Sequence, residues 1–153
     1  MRSAGRTGTQ RGAERVGVEP LSSAILLDIE GTVSPIAAVR DTLFPYARAR
    51  IAEWMARPDV RRAVGEVSVA QLEQWSDTDT KAEPLKTLQG LIWRAGFASG
   101  ELTATLYDDV PAALRAWTDD GIGLYVFSSG SILAQRLWFA NTQFGDLSAS
   151  IRG

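Results

Sequence analysis

Four apolar residues, Ala24-Ile25-Leu26-Leu27, stop abruptly at an acidic one, Asp28. A run that short, with no polar alternation, reads as a strand of a parallel sheet buried on both faces. Gly31 and Pro35 then interrupt any regular element. From Asp41 to Thr105 the apolar positions follow a helical period. Tyr46, Ala47, Ile51, Trp54 and Met55 share one stripe, which Pro58 ends. Ser68-Val69-Ala70-Gln71 has the spacing of a capping box, with Leu72 and Trp75 following on one face. Pro84 suits a first helical turn, and Leu85, Leu88, Ile92 and Ala95 carry that helix toward Gly96 and Gly100.

The pattern next returns to alternating helix and strand. Asp109-Val110-Pro111 opens a helix through Leu114 and Trp117 that Gly121 closes. Leu124-Tyr125-Val126-Phe127 reads as a second buried strand, and Ser128-Ser129-Gly130-Ser131 leads into a helix carrying Leu133, Leu137 and Ala140. The order predicts an α/β protein: a partial Rossmann-like core (21–33 and 106–153) with a helical module (34–105) lodged inside it. All five tryptophans, Trp54, Trp75, Trp93, Trp117 and Trp138, fall in predicted helices, and for most of them the reading is core packing rather than ligand stacking.

Composition narrows the chemistry more than it narrows the fold. Of 153 residues, 45% are hydrophobic, enough for a real core, and the formal charge of -2 gives no general pull toward nucleic acid or an anionic membrane. No apolar run approaches the ~20 residues needed to span a bilayer. The stretch Met1 to Pro20 is rich in Arg and Gly without an apolar segment, so it reads as a solvated leader rather than a secretion signal, and a cytoplasmic location is expected. The chain has no Cys and no His. That excludes thiolate nucleophiles, Ser-His-Asp hydrolysis and imidazole metal sites, and leaves carboxylates, hydroxyls, amines and oxygen-ligated Mg2+ or Ca2+.

In open parallel sheets ligands collect beyond the carboxyl ends of the strands. The first strand ends in Asp28-Ile29-Glu30-Gly31-Thr32, and carboxylates two apart on extended chain point the same way, so Asp28 and Glu30 are candidates for one catalytic and metal site. The second ends in Ser128, Ser129 and Gly130 before a helix start, a combination suited to a phosphoryl group. A carboxylate approaching a phosphate dianion meets two unit repulsions. At ~4 Å and an effective dielectric of ~20 each costs roughly 4 kcal/mol, which is why a divalent cation belongs in the reading.

Asp28-Ile29-Glu30-Gly31-Thr32 resembles the first motif of the haloacid dehalogenase superfamily, with Glu30 where Asp is usual. Val33-Ser34-Pro35-Ile36, Leu43-Phe44-Pro45-Tyr46, the stretch Lys86 to Phe97, Tyr107-Asp108-Asp109-Val110-Pro111 and Gly145-Asp146-Leu147 are similar to one branch, the acireductone synthases, or enolase-phosphatases of methionine salvage. The resemblance implies a haloacid dehalogenase core with an inserted helical cap, an Asp28 that attacks phosphorus, and Glu30 as its acid/base partner. It implies Mg2+ on the Asp28 carboxylate and the Glu30 carbonyl, Ser128 and Ser129 on the phosphoryl group, and Lys86 and Gln89 facing a phosphorylated diketone. A monomer without nucleic-acid or membrane partners is expected.

Ala56 to Val69 departs from the family pattern, and Phe139-Ala140-Asn141 stands where Phe-Gly-His is common. The chain ends at Gly153, before the lysine and the later acidic strand end of the family, so this reading expects C-terminal truncation and weak or absent turnover. Two alternatives stay open: another haloacid dehalogenase phosphatase acting on a small phosphoester, and a non-catalytic remnant.

Overall fold

The computed structural model describes residues 23–152; the leader, 1–20, lies outside them. Strand β1 (Ala24–Leu27) pairs in parallel with β2 (Gly123–Val126), with Ala24 opposite Gly123 and Leu27 opposite Val126. Nearly all the helical chain lies between them. A π-helical turn (Ala38–Leu43) runs into α1 (Phe44–Arg48), followed by α2 (Ile51–Met55), α3 (Pro58–Val64), α4 (Val69–Asp77) and the long α5 (Glu83–Ser99). Then come α6 (Val110–Asp119), β2 and α7 (Ile132–Ala140). The α/β class, with a helical module inserted between the two parallel strands, is thus observed.

Local chemistry sets most boundaries. Ser68 caps α4 by accepting from the Gln71 N–H at 3.1 Å, but the Gln71 side chain turns to Gln74 at 3.3 Å, so only half of the expected capping box forms. Ser131 caps α7 the same way, accepting from the Ala134 N–H. Gly100 ends α5 in the left-handed conformation at φ 79°. Pro58 does more than close the preceding pattern. It puts Arg57 in extended backbone and stands in the first turn of α3, a helix the periodicity of Ala56 to Val69 does not announce.

One cluster of buried side chains joins sheet and cap. Ile51, Leu72, Leu88 and Ile92 from the helices are fully buried, and so are Leu124 and Phe139 from the core side. Helix α5 packs against α1 to α4 and also against α7, and so connects the two parts. The insert leaves and rejoins the core at one place: the Tyr107 N–H donates to the Val33 carbonyl at 3.0 Å. Next to that crossing, Gln143 holds both the N–H and the carbonyl of Leu106, at 2.9 and 2.7 Å.

The expectation of strands buried on both faces is corrected. Ile25, Leu27, Leu124 and Val126 share the packed face, whereas Leu26 is 66% exposed and Tyr125 and Phe127 lie on its side of the sheet, also exposed. Successive side chains alternate across a strand, and among the described residues helices cover one side of this two-stranded sheet. An apolar run therefore specifies a strand without specifying that both faces are covered.

Candidate active site

The two strand ends meet. Beyond the last paired residues the Phe127 N–H donates to the Leu27 carbonyl at 2.8 Å, which brings the turn after β1 beside the turn after β2. After β1 the chain folds back at once: the Ile29 carbonyl accepts from the Ser34 N–H at 2.9 Å, and the Gly31 N–H donates to the Ser34 carbonyl at 2.7 Å. This compact turn presents Glu30 at the surface while Ile29 and Val33 point into the core. Ser34 is completely buried, and its hydroxyl accepts from the Trp138 indole N–H at 2.7 Å, tying the acidic turn to α7.

After β2, Ser128 Oγ accepts from the Gly130 N–H at 3.1 Å, which leaves the hydroxyl proton free to donate outward. Ser129 and Gly130 are exposed. Between the two turns and the cap lies a cleft of about 610 Å3, its open mouth included. Glu30, Ser128, Ser129 and Gly130 line it from the core, Lys86 and Gln89 from α5. Gln89 is a buried polar residue at this wall, and Lys86 pairs with Glu83 at 3.1 Å.

Asp28 stands apart from that lining. It is exposed one residue past β1, and among the described residues its carboxylate accepts only from the neighbouring Ile29 N–H, at 2.9 Å, with no basic side chain paired to it. Pairing with β2 ends at Leu27, yet burial still alternates beyond it: Leu27 and Ile29 are buried, and Asp28 and Glu30 are both exposed.

Sequence reasoning missed several contributors to the cleft. Val39, Leu43 and Phe44 form an apolar wall with Trp93 and Trp138. The two tryptophans are buried as expected, yet each also borders the cleft; the Trp93 N–H donates to the Leu43 carbonyl at 2.9 Å, so its polar edge is satisfied within the π-helical turn. A burial pattern alone cannot separate a core tryptophan from one that also walls a cavity. Lys81 reaches the same cleft, 5.0 Å over the Phe44 ring and paired with Asp79.

The inventory suits a hard cation. By residue type, the carboxylate and carbonyl oxygens of Asp28 and Glu30 would suit Mg2+, which characteristically takes one or two carboxylates, keeps several waters and binds substrate phosphate. Among the described residues no cluster of three acidic side chains forms a protein-only cage.

No family model matches the chain. Curated relatives do. It is 54% identical over 151 residues to an enolase-phosphatase E1 of Frankia alni, covering 88% of this chain and 64% of the relative. It is 46% identical over 147 residues to an enolase-phosphatase E1 of Streptomyces avermitilis, covering 85% and 62%. The chain belongs to the enolase-phosphatase family. The fold agrees: the crystal structure of the UTR4 protein from Saccharomyces cerevisiae superposes with a TM-score of 0.72 at 31% identity, covering 86% of this chain and 66% of that one. The chain spans just under two thirds of the length of these enolase-phosphatase relatives.

Proposed function

We propose that this chain carries the phosphoryl-transfer centre of a magnesium-dependent enolase-phosphatase that converts 2,3-diketo-5-methylthiopentyl 1-phosphate, after enolisation, to acireductone and phosphate. The observation that carries the reading is the meeting of two turns at one cleft: the Glu30 turn after β1 and the Ser128–Gly130 turn after β2. Family membership supports the same reaction. A cytoplasmic monomer acting on a small phosphorylated substrate completes the reading; among the described residues no helix is long and apolar enough to cross a membrane.

In this reading the phosphoryl group sits at the mouth of the cleft, within reach of both Asp28 and the serine turn. The organic tail then extends toward Val39, Leu43, Phe44, Trp93 and Trp138, an apolar wall compatible with a methylthio end. An Asp28 oxygen attacks phosphorus, forming an acyl-phosphate bond as the bond from phosphorus to the substrate oxygen breaks. Glu30 donates a proton to the departing oxygen and then takes one from the water that hydrolyses the acyl phosphate. Ser128 and Ser129 hold phosphoryl oxygens, and Lys86 and Gln89 face the substrate from the cap. Mg2+, bound by the Asp28 carboxylate and the Glu30 carbonyl, would offset repulsions of roughly 4 kcal/mol each between carboxylate and phosphate.

The test is phosphate release from the diketone phosphate and from a panel of sugar phosphates, with Mg2+ and with EDTA. Slow release is expected from the diketone phosphate in Mg2+ alone, falling on the order of a hundredfold or more in Asp28→Asn. Full activity in Asp28→Asn would overturn the mechanism. A clear preference for a sugar phosphate would move the chain to a different haloacid dehalogenase phosphatase activity.

A further inference from the structure

We propose that Gln135 is a positioning residue for phosphoryl recognition, acting through the Ser128–Ser131 turn. The inference rests on the proposed phosphate site and assigns that site a support from α7. Gln135 lies in the first turns of α7, is half-buried, and borders the cleft. Its Nε2 donates to the Gly130 carbonyl at 3.0 Å and reaches the Ser128 carbonyl at 3.5 Å, the first a firm hydrogen bond and the second a weak one.

The consequence follows from the peptide plane. The Ser128 carbonyl shares a planar trans unit with the Ser129 N–H, and the Gly130 carbonyl with the Ser131 N–H, so each N–H points opposite to its carbonyl. Drawing both carbonyls toward one amide fixes the direction of both N–H groups. Neither N–H has an acceptor among the described residues, whereas the intervening Gly130 N–H is committed to Ser128 Oγ. Gln135 thereby holds two uncommitted donors in one orientation at the place where an anion would bind. The remaining helix-start bond is separate: Ser131 Oγ accepts from the Ala134 N–H and would survive loss of the Gln135 side chain.

The test is titration with inorganic phosphate, followed by the amide NMR shifts of Ser129 and Ser131, in the wild-type chain, Gln135→Leu and Gln135→Glu. Leucine keeps similar bulk without a donor; glutamate keeps the length but sets an acceptor against two carbonyls. Both variants are expected to bind phosphate about tenfold more weakly, with the rest of the amide spectrum and the melting temperature nearly unchanged. In the active enzyme, KM for the phosphorylated substrate should rise by a similar factor with kcat little altered. Wild-type phosphate affinity in a folded Gln135→Leu would overturn the role of Gln135 and leave the phosphate site standing. Spectra of both variants that change throughout the protein, with affinity lost only in proportion to unfolding, would also overturn it. Absence of shifts at Ser129 and Ser131 in the wild type would refute the site and the positioning role together.

Discussion

The hydrogen bond between the Trp138 indole and Ser34 is open to a quantitative test. The two residues are 104 positions apart, the hydroxyl is completely buried, and Trp138 is 4% exposed, so water cannot replace a lost partner. Ser34→Ala leaves the indole N–H unpaired in the core, a penalty of about 1–3 kcal/mol. Trp138→Phe leaves the hydroxyl unpaired and also removes part of a large packed ring that meets Phe97 edge-on, for roughly 2–4 kcal/mol in total. The double variant strands neither group. It should be less destabilised than the sum of the singles by about 1–2 kcal/mol, a favourable coupling. Urea unfolding followed by circular dichroism reads each value without relying on tryptophan emission. Near the melting temperature 1 kcal/mol corresponds to about 3–5 °C for a domain of this size, so heat scans provide a second measure. Additivity within about 0.5 kcal/mol would refute the reasoning, because it would mean that water or another group already satisfies each partner. Since Ser34 also closes the turn that presents Glu30, the Ser34→Ala chain should show faster amide exchange at Gly31 and Ser34.

Two other expectations concern the cap. A Cβ at Gly96 would lie 2.7 Å from the Tyr46 hydroxyl and 2.8 Å from Leu102 Cδ1, so Gly96→Ala should lower stability by roughly 1–3 kcal/mol despite the better helix propensity of alanine; an unchanged or higher melting temperature would contradict that close approach. The Arg48 side-chain hydrogen bond holds the Asp77 carboxyl below its ordinary value of 3.8, so its contribution is fully present above that value and is lost as pH falls through the lowered one. Protection of α4 amides, measured as exchange protection factors between pH 5 and pH 2, should fall with acid in the wild type and fall less steeply in Arg48→Met; equal slopes would dismiss the pair as a link between α1 and α4.

What could be read from the chain was whatever depends on local order. The stop of Ala24–Leu27 at Asp28, the capping serines Ser68 and Ser131, and Pro84 in a first helical turn mark elements because each acts within a few residues; Pro58, which the periodicity gives only as the end of a stripe, also opens α3. The same locality picked out Glu30, Ser128, Ser129 and Gly130, and the family resemblance pointed to Lys86 and Gln89; all of these border the cleft. Burial alternates from Leu27 to Glu30 and leaves Asp28 and Glu30 exposed together, with Asp28 just outside the lining of the cleft that Glu30 borders.

The sequence determined the chemistry available and most of the order of helices and strands, since an inventory without Cys or His, short apolar runs and a helical period of 3.6 are properties of the chain alone. Tertiary structure decided which apolar residues face water, which tryptophans wall a cavity, and which amide supports the serine turn. Leu26 and Leu27 are identical in type and adjacent, yet one is 66% exposed and the other 6%. Trp93 meets Leu43 across 50 positions, and Trp138 meets Ser34 across 104. Contacts at such separations are selected by the packing of whole elements against one another, a competition among many arrangements that no local window of sequence contains.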